Sequence, residues 1–187
     1  MANLDRGMLL ALLIVLLLLG SVFSLRFLDG PVFFVHGGPL KAGERVEYAD
    51  VDWDSLDKMR AFEVELVGKG RSLLLWFSVT DGRPYISCGL RCEDRGLKRW
   101  PHSLDEDPRV VVRIAGTRID ARAERVAYDS PEFLAARAER RAKFSGGDVR
   151  SEAEHVMHDA IIDLGSQDTK SQGEDAESGR LYRIVPR

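Results

Sequence analysis

"MRAFEVELVGKGRSLLLWFSVTDGRPYISC", residues 59–88, decides the fold. Phe62, Val64 and Leu66 alternate with Glu63 and Glu65, the period of a half-buried strand. "GKGR", residues 68–71, is a turn, and "SLLLWFSV" is a second strand, apolar on both faces and so expected to be buried on both. "TDGR", residues 80–83, carries the Asp-Gly pair of a tight hairpin, and "PYISC" continues as a third strand. Neighbouring strands on such short turns pair antiparallel, because a parallel pair needs a crossover of about a dozen residues or more.

The sequence beyond this stretch extends the same sheet. In "GLKRWPHSLDEDPRVVVRIAG", residues 96–116, a short helix is predicted over 96–106 with Trp100 and Leu104 on one face. Asp107-Pro108 ends it, since a proline disfavours helix in the residue before it. "RVVVRIAG" and "TRIDARAERVAY" are two strands joined at Ala115-Gly116-Thr117. In the second, Ile119, Ala121 and Ala123 share one face, while Arg118, Asp120, Arg122 and Glu124 share a face that reads as charged and solvated. "DSPEFLAARAERRAKF" is a helix with Ser130 as N-cap, Pro131 at the first helical position and Glu132 in the first turn. Phe133, Leu134, Ala138 and Phe144 are expected to face the sheet, and Gly146-Gly147 to stop the helix. "VRSEAEHVMHDAIIDLG" reads as a further helix, the polar stretch at about 165–179 as a loop, and "RLYRIVP" as a last strand. The fold class is therefore α+β, mainly β: an antiparallel barrel of about six strands with flanking helices.

The 187 residues, 44% hydrophobic and 30% charged, suit one folded domain with appendages, and a net charge of -3 gives no basic field for nucleic acid. "GMLLALLIVLLLLGSVFSL", residues 7–25, has no charge over about the length that crosses a bilayer as a helix. Residues 1–25 are expected to form a single-pass membrane anchor, with a cleaved signal peptide as the alternative. The flanking Arg6 and Arg26 do not fix an orientation, and short anchors of this kind place the body on the extracytoplasmic side. Residues 26–57, rich in breakers, form a neck in which Val32 and Val35 bound a short strand and Trp53 plugs the core; the barrel domain spans 58–187.

The ordered set "RSLLLWF", "DGRPYI", "WPHSLDEDPRVVVRIAG" and "ARAERV" resembles the split β-barrel superfamily of flavin- and deazaflavin-binding proteins. That superfamily includes pyridoxamine-phosphate-oxidase-like and deazaflavin-dependent nitroreductase families; Trp100, His102, Leu104 and Pro108 sit in the register of the deazaflavin branch. The neck, "GGPLKAGE" with Asp52-Trp53 downstream, resembles a membrane-anchored bacterial group of the same superfamily. Two departures stand out: the loop before the second strand is reduced to residues 68–72, and Lys98 precedes Trp100 by only two positions.

The resemblance implies FMN or a deazaflavin at the interface of a homodimer, acting on a small-molecule substrate. Arg71 and Ser72 would meet the cofactor phosphate, Lys98 and Arg99 would approach it from the other side, Trp100 would wall the ring, and His102 would donate to it. Each has a plainer alternative: Trp100 and His102 as core residues, Arg71 and Lys69 as solvated turn cations.

Other constellations compete less well. His155 and His158 stand three apart on a helix and lack a named third metal ligand, so haem through His102 or His155 is a minor alternative. Cys88 and Cys92 either bridge a short loop or stand as a buried residue and a separate thiol, with a catalytic pair as a third option. "RAERRAKF" would lie on lipid headgroups or be a solvated helix face. No phosphate-loop or Gly-x-Ser-x-Gly motif is present. The functional expectation is a membrane-tethered, flavin- or deazaflavin-dependent oxidoreductase, against a non-catalytic barrel serving as a tethered binding or assembly module.

Overall fold

The computed structural model describes residues 6–24, 27–32, 35–88, 99–145 and 180–187. Lys98, Cys92, the Gly146-Gly147 stop, the helix expected at 149–165 with His155 and His158, and the polar stretch at 165–179 lie outside the described residues.

Seven strands occur among the described residues: β1 (Glu44–Arg45), β2 (Ala61–Leu66), β3 (Arg71–Thr80), β4 (Arg83–Cys88), β5 (Arg109–Ile114), β6 (Thr117–Arg125) and β7 (Arg180–Pro186). Their order is β1-β6-β5-β2-β3-β4-β7, and β6 also pairs with β7, so the six strands β2 to β7 close on themselves. Every pair in the ring is antiparallel; β1 alone runs parallel, beside β6. β3 explains how the ring splits. Its first part pairs with β2, ending at Ala61↔Trp76, and its second part pairs with β4 from Phe77↔Ile86 onward.

The two-residue period fixes the interior. Val64, Val112 and Ile119 are register partners on β2, β5 and β6, and all three are fully buried. Phe62 stacks on Phe77 with centroids 4.4 Å apart. Each such side chain contributes about 1.5–3 kcal/mol on burial. The hairpin turns suit the strand twist, with Asp81 and Gly82 at φ 50° and 69°, and Ala115 and Gly116 at φ 50° and 80°. Trp53, in the short helix α2 (Trp53–Leu56), joins this interior, as expected of a core plug.

The outer face departs from the sequence reading. β3 is not buried on both sides: Leu74 and Trp76 are 47% and 40% exposed. A closed barrel has one interior, so the outer parity is covered only where another segment lies on it. One such cover is the helix labelled α4 (Pro131–Ser145), whose N-cap Ser130 Oγ accepts from Phe133 N at 3.1 Å. Phe133 and Ala136 pack on Tyr85 and Leu181, while Phe144 stacks on Trp76 at 5.2 Å. Leu134 and Ala138, expected against the sheet, are exposed instead, because the contacting stripe runs through 133, 136 and 144. Another cover among the described residues is the neck. Gly37 and Ser72 exchange backbone bonds of 3.0 Å each, and Val32 and Val35 form a small bridge.

The N-terminal expectation is overturned. Residues of α1 (Arg6–Ser24) are helical, yet no helix among the described residues is long and apolar enough to cross a membrane. The run free of glycine, serine and charge covers residues 8–19. Beyond it Ser21 and Ser24 bond back to the Leu17 and Ser21 carbonyls. The single-pass anchor, and the extracytoplasmic placement that followed from it, are therefore corrected. Cys88 is buried at the end of β4 and disulfide-bonded.

Candidate functional site

The helix predicted over 96–106 is observed as α3 (Trp100–Glu106), entered through Arg99 and carrying Pro101 in its first turn. Asp107, in extended conformation, ends it. Trp100 and Leu104 are buried on one face, and Trp100 packs on Tyr182 of β7 at 5.6 Å. Tyr182 also donates to the Pro101 carbonyl at 3.3 Å, and Arg180 pairs with Asp105 at 2.5 Å. These contacts pin α3 to the barrel by its apolar stripe and fix the direction of its remaining side chains.

The turn between β2 and β3 meets the far end of α3. It is a 3₁₀ turn over Val67–Lys69, closed by Gly70 at φ 56°, a left-handed value that glycine adopts without strain. Lys69 Nζ lies 2.5 Å from Glu106 Oε2. A Cβ on Gly68 would stand 2.7 Å from Asp107 Oδ2, so the close approach of turn and helix requires glycine there. Asp107 in turn grips Arg109 through both carboxylate oxygens. The Arg109 guanidinium and backbone N–H hold the Asp107 carboxyl down at about 2.

The structure thus brings together two segments some thirty positions apart in sequence. Arg71 starts β3 just beyond the turn, half-buried, while Arg99 is exposed at the head of α3. His102 points an imidazole whose Nε2 is buried and has no hydrogen-bond partner among the described residues. Trp100 faces the barrel interior. Ser72 is fully buried, and its hydroxyl donates to the Gly38 carbonyl at 2.6 Å. Its β2 register partner, Glu65, is also buried and accepts from Leu40 N at 2.8 Å. The neck therefore occupies the polar groups at the Ser72 end.

Sequence reasoning missed the neck's clamp. Arg113 on β5 pairs with Glu63 and, at 3.0 Å, with Asp29, whose two oxygens accept from Lys41 N and Ala42 N at 2.7 and 2.8 Å. Burial raises the Asp29 pKa, but the two amides and Arg113 outweigh it and leave the carboxyl below its ordinary value. Arg118, assigned to a solvated face, donates to the Leu40 and Lys41 carbonyls. Outward parity was legible for Arg118; the segment lying over it was not. No group of His, Cys, Asp and Glu among the described residues is arranged to hold a metal ion.

No protein-family model matches the chain, and no curated protein does. Among solved structures it is similar to a conserved hypothetical protein from Mycobacterium tuberculosis, with 18% identity, 79% of this chain and 84% of that one covered, and a TM-score of 0.44. HutZ, the haem storage protein from Vibrio cholerae, shares 15% identity over 72% of this chain and 87% of its own, with a TM-score of 0.43. An FAD-binding protein from Mesorhizobium loti shares 15% over 73% and 87%, with a TM-score of 0.37. In this chain β2 to β7 form a closed antiparallel ring of six strands, the barrel architecture expected from the sequence.

Proposed function

We propose that the chain binds a planar redox cofactor, FMN or a deazaflavin, beside α3 and passes electrons or hydride to a small-molecule substrate. The observation that supports this is the contact of the β2–β3 turn, which leads into Arg71, with the C-terminal end of α3, the helix that carries His102 and follows Arg99, through Lys69–Glu106 and Gly68–Asp107. The buried, unpartnered Nε2 of His102 suits a donor or acceptor on a ring edge. Guanidinium forks on Arg71 and Arg99, with Lys98 ahead of them in sequence, suit phosphate. Such a cofactor supplies the two-electron chemistry when bound. The chain's part is to hold the phosphate, orient the ring and keep water from its face. A homodimer with the cofactor at the subunit boundary belongs to the same proposal.

The residues fit the ring end of this group better than the Ser72 end of its phosphate site. With the neck in place, the Ser72 hydroxyl and N–H are both used by Gly37 and Gly38. Those internal bonds, and the packing of Trp100 on Tyr182, favour a second reading: a non-catalytic barrel serving as a binding or assembly module.

Titration of the full chain with FMN, a deazaflavin and haem, followed by absorbance and fluorescence, separates the two. The cofactor reading expects saturable flavin or deazaflavin binding, weakened about tenfold by Arg71→Ala or Arg99→Ala, the value of one charge-assisted contact. A folded chain that ignores all three ligands establishes the second reading. A haem spectrum altered by His102→Ala would replace flavin with haem.

A further inference from the structure

α4 lays its last two turns over the outer face of β3 at the place where that strand leaves β2 for β4. Arg140 is half-buried there. Its Nη1 donates to the Trp76 carbonyl at 3.2 Å, and its guanidinium carbon sits 4.9 Å from the Phe144 ring centre. Phe144 is stacked on Trp76 with an interplanar angle of 15°. Among the described residues no carboxylate pairs with Arg140, unlike its neighbour Lys143, which lies 2.8 Å from Asp57 Oδ1. Among the described residues Nε and Nη2 of Arg140 have no hydrogen-bond partner, and neither is sealed from solvent. The guanidinium therefore has an aromatic floor on one side and open, unused donors on the other.

A cation stripped of water without a counter-charge is costly, and here burial alone pushes the Arg140 pKa down to about 10. Lys143, close by, adds a second positive charge; burial first, with Arg140 adding to it, holds its pKa below the ordinary value against the opposing pull of Asp57. The exposed flanks of Trp76 and Leu74 supply apolar surface beside these donors. From this geometry we infer that the α4–β3 junction is a binding site for a small ligand carrying an anionic group on a planar ring: Arg140 takes the anion, and Trp76 with Leu74 takes the ring. It lies about five strand residues, roughly 17 Å, along β3 from Arg71 and is separate from the cofactor site proposed above.

The probe is 2-naphthoate, titrated calorimetrically into the full chain, with 2-naphthylmethanol as its neutral counterpart and acetate as the anion without a ring. One saturable naphthoate site per chain is expected, with both other probes weaker by about tenfold or more. Arg140→Gln should reduce naphthoate affinity to the level of the alcohol, and Arg140→Lys should restore part of it. Arg137→Gln, on the same helix but exposed, should leave it unchanged. Equal binding of naphthoate and its alcohol, undiminished binding by Arg140→Gln, or no saturable binding overturns the site. If Arg140→Gln fails to fold, the comparison of probes on the unaltered chain decides the question.

Discussion

Arg113 and Arg140 are both half-buried on the outside of the barrel, and their surroundings could hardly differ more. Arg113 meets two carboxylates, Glu63 and Asp29, and through Asp29 it reaches the amides of Lys41 and Ala42. Arg140 meets one ring, that of Phe144, and one carbonyl, that of Trp76. Among the described residues, β2 and the neck together satisfy the first guanidinium, while donors of the second stay open. An outward-facing arginine on a barrel is thus a structural rivet where the chain supplies its anion, and a candidate ligand site where it does not.

Breaking the neck should be the most damaging change. A Cβ on Gly37 would run into the Gly30 carbonyl and stand 2.8 Å from Pro31 N, all of it backbone. Gly37→Ala is expected to cost about 3 kcal/mol, the upper end for overpacking, seen as a lower urea midpoint and earlier proteolysis within residues 36–42. Arg113→Met should cost about 2 kcal/mol, since it orphans Glu63 and Asp29 together. Arg140→Met, by contrast, should be neutral or slightly stabilising, within about 1 kcal/mol, because no carboxylate is left behind. Equal losses from the two methionine variants would erase the distinction between rivet and site.

pH separates the two sides as well. Asp29 has a folded pKa below its ordinary value, so its contribution is complete above the unfolded pKa and disappears as pH falls through the folded one. The neck should therefore loosen below about pH 4, detectable as rising amide exchange at Lys41 and Ala42. On the α4 side, Tyr85 donates to Glu132 at 2.9 Å, and burial, reinforced by that carboxylate, pushes its hydroxyl up to about 12. Its contribution is complete below about pH 10 and is lost as pH rises towards 12, so α4 should release in alkali while the neck holds. Release of both covers at the same end of the scale would contradict these assignments.

How far the sequence disclosed this arrangement depends on distance along the chain. Alternation in β2 and β6 gave interior residues directly, and Asp81-Gly82 announced a hairpin, because both signals are local. The pairing of Trp100 with Leu104 was local too, and both are buried. Ser72 was chosen as a phosphate donor on local grounds. What engages it is Gly38, 34 positions earlier, and no periodicity carries that information. The basic face of "RAERRAKF" likewise showed Arg140 as a helix-face cation, but not whether a carboxylate would arrive.

The smallest effect tests the one helical face that was misassigned. Leu134 was expected on the sheet and is 52% exposed, whereas Ala136, two positions on, is fully buried against Tyr85 and Leu181. A leucine in a helix is weak evidence for a buried face, because a folded surface remains largely apolar and alanine marks close approach better than bulk does. Leu134→Lys should therefore leave stability within about 0.5 kcal/mol by urea unfolding, since it touches neither the stripe on β4 and β7 nor the Arg140 donors. A loss approaching the cost of a buried leucine, about 2 kcal/mol or more, would mean that something covers this face in the folded protein.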